Sequence, residues 1–395
     1  MRTPSDAGTT MRRDLFDADH EAFRASFRAF LAAEFVPHLA EWAAAGIVPR
    51  EMFARAGELG FTGMQSPEKY GGGGAEDFRF NVVIAEEIAA AHLGGAGTGL
   101  GAHNDLVLPY LETLTDDEQK LRWLPGAATG QLIAAVAMTE PGTGSDLAGI
   151  ATTAVRDTVD GVPGYRVNGR KTFISNGINA DLVVTVVRTG GGRHDGLSLL
   201  VVERDMPGFE RGRNLDKLGQ HAQDTAELVF DDVFVPEPNR LGAEGAGFEL
   251  LQRNLPQERL AIAVHATACT RAVLELTLRY VRERTAFGTP IGSFQATRFA
   301  LAELATELDL AQCFVDTCVR AHNAGELTAV DAAKAKWWCT ELQGRAADRC
   351  VQLHGGYGYM AEEPVARAYA DARVTRIYGG TTEIMKEIVG RGLGL

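Results

Sequence analysis

The chain has 395 residues, of which 45% are hydrophobic and 23% are charged, and its formal net charge is −13. This length exceeds what one hydrophobic core usually fills, so two or three packed units are expected. The acidic balance argues against a nucleic-acid partner, and no segment approaches the roughly 20 consecutive apolar residues that would cross a membrane.

Residues 1–130 carry a helical pattern. Phe23, Phe27 and Phe30 recur at three- and four-residue steps, which is the spacing of one helix face. The first 13 residues contain basic side chains but no apolar run, so we expect no secretory signal and predict a cytoplasmic location. The pattern predicts a helical N-terminal domain over residues 1–130.

The pattern changes over residues 131–245 to short apolar runs joined by turn residues. Strands are predicted at Leu182–Val187, Leu197–Val202 and Ala226–Phe230. Asn168-Gly169 between two further runs is the favoured signal for a type I′ hairpin turn. This region should form a small β domain.

The helical period returns over residues 246–395. One narrow apolar stripe is typical of a packed helical bundle, and it consists of Leu301, Leu304, Leu308, Ala311, Val315 and Cys318. Glycine-containing breaks at residues 285–288, 322–325 and 354–356 should separate the helices. We therefore predict a C-terminal helical bundle.

The five cysteines form no C-x-x-C pair and all fall in helical sequence, so we expect reduced core thiols and no metal site. The segment Gly97-x-Gly99-x-x-Ala102 formally matches a dinucleotide-binding fingerprint. No strand precedes it, and the expected βαβ context is missing. A dinucleotide-binding fold is therefore not predicted.

Two polar segments could form one wall of a ligand site. Val136–Asp146 begins as a strand and ends in a loop with glycines and hydroxyls, and Phe173–Gly177 places an aromatic ring and a hydroxyl at the end of another strand. Glycines let backbone approach a flat ligand closely. Each segment alone is also compatible with an ordinary turn.

Four more segments follow in order: Arg284–Gly288, Phe294-Gln295, Gln352–Gly356 and Ile377–Ile384. With them, the chain resembles the acyl-CoA dehydrogenases from about Asp17 to its C-terminus, and its C-terminal region resembles the long-chain members most. The resemblance implies an α+β multidomain fold, with a helical N-terminal domain, a middle β-barrel or sandwich domain and a C-terminal four-helix bundle. It also implies FAD between the last two domains, and a homotetramer.

The resemblance also indicates which residues would contact FAD. They are Met138, Thr139, Ser145, Phe173, Ser175, Arg284, Gln295, Gln352, Gly355, Gly356, Thr381 and Glu383. The first five would line the isoalloxazine and thioester region. The two residues at 284 and 295 would reach the FAD of a neighbouring subunit, and the segment 352–356 would take the adenine-ribose end.

The implied reaction takes a proton from the α carbon and a hydride from the β carbon of an acyl thioester, so it needs a carboxylate base. Many family members carry that base as Glu where this chain has Gly379. The long-chain and isovaleryl types instead place a Glu on a helix, which Leu255–Leu260 matches, and so Glu258 is the predicted base. Glu383 is the next candidate, followed by Glu249 and Glu140.

On the substrate side, the backbone N–H of Gly379 could donate to the thioester oxygen. Its missing side chain should leave volume, and Pro256 should distort the turn around the base, so we expect an enlarged acyl cavity. By resemblance, the acyl-CoA contacts would be Ser145, Arg259, Gly379 and Gly380. For Arg259 an ordinary ion pair is equally compatible, and His354 should favour a helix C-terminus electrostatically.

The function expected from the resemblance is FAD-dependent oxidation of an acyl-CoA to trans-2-enoyl-CoA in fatty-acid or related catabolism, with electrons passed to an electron-transfer flavoprotein. Two alternatives stay open. One is a flavin oxidase or monooxygenase on the same fold, and the other is an inactive FAD- or CoA-binding assembly subunit.

Overall fold

A computed structural model of the chain describes residues 13–193 and 195–395. The basic N-terminal stretch, apart from its last residue, lies outside the described part. The described residues form two compact units, one comprising 13–36, 78–94 and 259–395, the other 37–77 and 95–258. The domain boundaries expected at 130 and 245 stay a prediction.

Seven α-helices and two π-helical turns precede the sheet in the described part of the chain. The helices are α1 Ala18–Phe30, α2 Leu39–Ala45, α3 Glu51–Glu58, α4 Arg79–Ala90, α5 Gly94–Gly101, α6 Leu108–Thr113 and α7 Asp117–Ala128. The π-helical turns are Leu31–Phe35 and Ala102–Val107. The Asp17 side chain begins α1 by accepting from the N–H groups of Asp19 and His20.

The helical prediction for this region is confirmed in its main features. Phe27 and Phe30 are buried along one face of α1, as the spacing predicts. The dinucleotide-like glycines Gly97 and Gly99 lie inside α5, with no strand leading into them, so they do not form a nucleotide-binding turn.

Eight strands form one sheet in the middle of the chain. They are β1 Ala134–Ala137, β2 Thr153–Val159, β3 Val162–Ser175, β4 Leu182–Arg188, β5 Leu197–Glu203, β6 Phe209–Asn214, β7 Thr225–Pro236 and β8 Arg240–Leu241. The strand order is β6-β7-β3-β2-β4-β5-β8, with β1 paired in parallel to β4. The three predicted strands lie in β4, β5 and β7 and are confirmed.

The predicted hairpin turn at Asn168-Gly169 is wrong. These residues lie inside β3, where the register against β7 shifts by a bulge. A Cβ at Gly169 would lie 2.5 Å from Thr152 Oγ1. The glycine therefore allows Thr152 to lie close to the backbone of β3. The turn that joins β2 to β3 is Asp160-Gly161, with φ angles of 51° and 82°, as a type I′ turn requires.

Five helices and a short hairpin follow the sheet. They are α8 Gly247–Glu283, β9 Thr285–Ala286, β10 Thr289–Pro290, α9 Gln295–Asn323, α10 Ala329–His354, α11 Pro364–Thr375 and α12 Thr382–Gly392. All six residues of the predicted stripe are buried on α9, and the three predicted breaks separate helices. Of the cysteines, Cys313 is exposed, so its assignment to the core is wrong.

Helix α8 is long and apolar enough to cross a membrane by length and composition alone. In its most apolar stretch, 72% of the residues are buried against protein, as in the core helix of a soluble protein. Within unit 259–395, Leu260 and Val264 of α8 pack against Val315 of α9 and Leu342 of α10. The length of α8 is therefore weak evidence for a membrane span.

Candidate active site

Glu258 lies within α8, two residues after Pro256, which the helix contains in its interior. Its side chain is 4% exposed. The hydroxyl of Tyr110, from α6, donates to Glu258 Oε1 at 2.8 Å. A buried carboxylate that accepts a hydrogen bond from a neutral phenol has the chemistry of a proton acceptor.

A buried polar atom lies one helical turn before Glu258. The Asn254 side chain is 9% exposed, and its Nδ2 has no hydrogen-bond partner within the described residues. A buried donor of this kind is costly unless a ligand or water satisfies it. Asn254 Nδ2 is therefore available to donate a hydrogen bond to a ligand at this turn of α8.

The other candidate carboxylates are less suited to take a proton. Burial opposes ionisation of Glu140, but Lys171 and the N–H groups of Ala151 and Thr152 outweigh burial, and its pKa is lowered. Glu383 is exposed at the start of α12, where its own backbone N–H and Thr381 lower its pKa. Glu249 is exposed in the first turn of α8.

The segment Tyr378–Thr381 forms a loop in which a side chain at the second position would be strained. Gly379 has a φ of 65°, which a residue with a Cβ adopts only under strain. A Cβ there would lie 2.4 Å from Ile262 Cδ1. The expectation that Gly379 leaves volume for the substrate is therefore wrong, because Ile262 already fills that space.

Two buried basic side chains hold the carbonyl groups of this loop. Arg259 Nε donates to the Gly379 carbonyl at 3.4 Å, and Lys336 Nζ donates to the Gly380 carbonyl at 2.7 Å. Burial, reinforced by the nearby Arg259 charge, lowers the pKa of Lys336 to about 7. The Gly379 N–H has no partner in the part of the chain that the structure describes, so it is free to donate to a ligand.

The two segments of the sheet region that were predicted to contact the flavin, 136–146 and 173–177, lie next to each other. Met138 and Thr139 directly follow β1, and the Thr172 N–H donates to the Thr139 carbonyl at 2.9 Å. Beside this contact Phe173 is 68% exposed and has a φ of 60°, an unusual backbone conformation for an aromatic residue. Ser175 at the end of β3 is half-buried, and Ser145 is exposed.

A buried ion pair stabilises this junction. Lys171 Nζ lies 2.8 Å from Glu140 Oε1 and donates to the Met138 carbonyl at 3.0 Å. Burial lowers the pKa of Lys171 to about 8, with Glu140 opposing that shift. The pair fixes the backbone that carries Met138 and Thr139, and it was not predicted from the sequence.

A groove of about 460 Å³ in the helical unit contains several of the other predicted flavin residues. It is lined by Tyr280, Arg284, Ile291, Leu353, His354, Gly355, Gly356, Tyr357 and Met360. A Cβ on either glycine would meet no atom within 4 Å, so the glycines keep the groove open. An aromatic wall and a guanidinium suit an adenine and a phosphate, and the residues present fit the adenosine diphosphate part of FAD.

Further residues from the predicted set lie at helix ends in the same unit. Gln295 begins α9 and Gln352 lies in the last turn of α10, both exposed. The prediction for His354 is wrong, because burial lowers its pKa and favours the uncharged ring. The His354 ring stacks on Tyr280 with the centroids 4.1 Å apart. The two rings together form part of the wall of the 460 Å³ groove.

Four residues that contact predicted site residues were not predicted from the sequence: Tyr110, Lys171, Ile262 and Lys336. Each is buried and acts through partners distant in the chain. The two lysines gave a weak signal, because a lysine in an otherwise apolar stretch has to find a partner if it is buried. Within the described residues, no group of three or more His, Cys, Asp or Glu side chains could hold a metal ion.

Known proteins match nearly the whole chain that carries these residues. The N-terminal, middle and C-terminal domains of acyl-CoA dehydrogenase match residues 17–131, 135–233 and 245–394. The chain is 44% identical over 382 residues to the mitochondrial long-chain specific acyl-CoA dehydrogenase of Sus scrofa, covering 96% of this chain and 87% of that protein.

Two solved structures are similar over nearly all of this chain. The acyl-CoA dehydrogenase from Geobacillus kaustophilus has a TM-score of 0.93 and 49% identity, covering 97% of this chain and 100% of that one. The acyl-CoA dehydrogenase complexed with FAD from Bacillus anthracis has a TM-score of 0.89 and 30% identity, covering 98% of this chain and 70% of that one.

Proposed function

The chain belongs to the acyl-CoA dehydrogenase family, and from that premise we propose that it oxidises a long-chain or bulky acyl-CoA to the trans-2-enoyl-CoA, with Glu258 as the base. It is an enzyme of this family with FAD as its cofactor. The 44% identity to a long-chain specific relative supports the substrate class. The cavity expected beside Gly379 gives the substrate class no support, because Ile262 Cδ1 lies 2.4 Å from where a Cβ of residue 379 would be.

The observation that supports the proposal most is that helix α8 carries a buried carboxylate, whereas the Gly379 loop carries none. Glu258 is buried and hydrogen-bonded to a neutral phenol, whereas the Gly379 loop carries no carboxylate, and a Cβ at Gly379 would meet Ile262 Cδ1. A base near an α carbon must be desolvated to remain strong enough at neutral pH. Glu258 meets this requirement better than Glu140, Glu249 or Glu383.

The remaining residues prepare the substrate and the cofactor. The free N–H of Gly379 can donate to the thioester oxygen and so acidify the α proton. Arg259 and Lys336 keep that N–H available by holding the carbonyl groups of the loop. Bound FAD supplies the acceptor for the β hydride. Gly355 and Gly356 would take the adenine-ribose end of FAD, and Arg284 would reach the FAD of a neighbouring subunit.

The partners form the finer part of the proposal. We infer that electrons pass to an electron-transfer flavoprotein, that the chain assembles as a homotetramer, and that it works in the cytoplasm in fatty-acid or related acyl-CoA catabolism. The net charge of −13 supports the absence of a nucleic-acid partner. Sedimentation of the purified protein and reduction of a purified electron-transfer flavoprotein would test the first two inferences.

Anaerobic titration of the FAD-loaded protein with acyl-CoAs from butyryl to palmitoyl tests the function. We expect the flavin absorbance to bleach and trans-2-enoyl-CoA to form, fastest with long or branched chains. A sharp optimum at butyryl would contradict the substrate class. Absence of bleaching with every thioester would support an assembly subunit, and fast reoxidation by air with peroxide release would support an oxidase.

A further inference from the structure

The hydrogen bond between Tyr110 and Glu258 gives the base a fixed neutral donor. From it we propose that Tyr110 is a positioning residue for the reaction, which holds Glu258 Oε1 and so orients the carboxylate toward the α proton. The inference rests on the proposed function, in which Glu258 is the base. It adds a residue that lies 148 positions away in sequence.

The Tyr110 ring is held rigidly. It is fully buried in a cluster with Leu111, Trp123, Leu250 and Leu251. The last two residues belong to α8, the helix that carries Glu258. Because close-packed side chains have little freedom to shift, the phenol keeps a constant position relative to the carboxylate.

A second hydrogen bond joins the same two segments. Gln257, next to the base, donates through Nε2 to the Asp105 carbonyl at 3.3 Å. Asp105 lies in the π-helical turn Ala102–Val107 that leads into α6. A π-turn adds a residue to the helical repeat and rotates the next helical turn about the axis, so Ala102–Val107 sets which side of the segment Tyr110 occupies.

The bond affects both the protonation and the geometry of Glu258. Burial alone would raise the pKa of a carboxyl group, whereas a donated hydrogen bond favours the charged form. In the reaction the α C–H bond breaks, its proton goes to the Glu258 carboxylate, and its electron pair becomes the α,β double bond. Bound FAD would supply the acceptor for the hydride that leaves the β carbon. The phenol on Oε1 fixes the plane of the carboxylate for this transfer.

Several other titratable side chains lie on the packed segments. They are His103, Asp105 and Glu112 on the Ala102–Thr113 side, and Glu249, Arg253 and Arg259 on α8. Burial lowers the pKa of His103 to about 4, so it stays neutral near neutral pH. Replacing Tyr110 leaves all six in place, and a difference from wild type therefore reports on the phenol.

The test compares Tyr110→Phe with Tyr165→Phe by anaerobic flavin reduction across pH. Tyr165 is a matched control because it is also fully buried and its hydroxyl donates to a carboxylate, Glu244, at 2.8 Å. For Tyr110→Phe we expect the acid limb of the rate profile to move up by about one pH unit and the plateau to fall about tenfold. Tyr165→Phe should match wild type.

The outcomes separate this inference from the proposed function. If wild type and Tyr165→Phe are reduced by acyl-CoA but Tyr110→Phe follows them at every pH, Tyr110 has no positioning role and the function stands. If no form of the protein is reduced by any acyl-CoA, the proposed function itself fails.

Two further measurements do not depend on the Phe variant folding or on turnover. Difference infrared spectra of wild type against Glu258→Gln give the carboxyl C=O band of Glu258 as it titrates. Replacing Tyr110 with a fluorotyrosine, a stronger hydrogen-bond donor of nearly the same shape, should move that titration to lower pH. An unchanged titration would overturn the inference.

Discussion

The hydroxyl of Tyr110 donates to Oε1 of Glu258 across 2.8 Å, and both side chains are buried. The bond joins a helix of the N-terminal region to the helix that begins the C-terminal region. It makes the environment of the proposed base a product of tertiary packing, and several consequences can be measured.

Glu258→Gln should remove nearly all flavin reduction by acyl-CoA while the protein keeps its fold and its flavin. Gln is nearly isosteric but cannot accept the α proton, and general-base catalysis typically contributes about 10²- to 10⁴-fold. Rapid-mixing absorbance under anaerobic conditions measures the loss. Glu249→Gln is the matched control, because Glu249 is exposed in the first turn of the same helix, and it should reduce at the wild-type rate. A normal rate in Glu258→Gln would refute the base assignment.

Gly379→Ala should destabilise the protein by about 1–3 kcal/mol, because it combines a positive φ with a contact to Ile262 Cδ1. Replacing Ile262 with Val removes that methyl group and should return part of the loss, although Ile262→Val alone costs about 0.5–1.5 kcal/mol. Denaturant unfolding of both single variants and the double variant measures the coupling. Strictly additive losses would show that the contact with Ile262 does not matter.

Lys336→Met should change how stability depends on pH. The pKa of Lys336 is about 7 in the folded protein and about 10.4 when unfolded, so the unfolded chain binds more protons between these values. The contribution of Lys336 to the free energy of unfolding should therefore increase as pH rises from about 7 to 10, by up to about 1.4 kcal/mol per pH unit. The same contribution is lost as pH falls back through this range.

The difference in unfolding free energy between wild type and Lys336→Met isolates this contribution from other titrating groups. Lys334→Met is a suitable control, because Lys334 lies on the same helix with its side chain 43% exposed. A pH-independent difference between wild type and Lys336→Met would show that Lys336 does not titrate in this range.

Breaking the Lys171–Glu140 pair should weaken both the fold and FAD retention. Either Lys171→Met or Glu140→Gln alone leaves a buried group without its partner, at a cost of about 3–5 kcal/mol. The double replacement should cost less than the sum of the single ones. Thermal unfolding and the ratio of flavin to protein absorbance after purification measure the two effects, and additive single losses would contradict a direct pair.

Gly356→Leu should lower FAD retention with little effect on the stability of the apoprotein. A Cβ at Gly356 meets no protein atom within 4 Å, so the side chain would enter the groove instead of displacing its walls. Gly390→Leu offers a comparison, since a Cβ there also meets no atom within 4 Å and lies on α12. Equal FAD affinity in the two variants would argue against the groove as the adenosine site.

The sequence by itself determined the helix, sheet and bundle regions, since three- and four-residue apolar spacing and short apolar runs are local properties of the chain. Through the resemblance to the acyl-CoA dehydrogenases it also indicated Glu258, because Gly379 stands where many members carry the base and Leu255–Leu260 matches the helix on which the long-chain and isovaleryl types carry it. The turn predicted at Asn168-Gly169 was wrong. Pairing of β3 with β7 overrode the turn preference of the dipeptide, which forms a bulge within β3.

Only the tertiary structure decided the surroundings of those residues. Tyr110 reaches Glu258, Ile262 fills the space beside Gly379, and Lys336 reaches the Gly380 carbonyl, although no pattern in the sequence relates these positions. Burial makes these contacts matter for reactivity, because a low dielectric strengthens hydrogen bonds and shifts pKa values. The sequence could therefore point to Glu258 as the proposed base, while its hydrogen-bond donor and the contacts of the Gly379 loop depended on packing between distant segments.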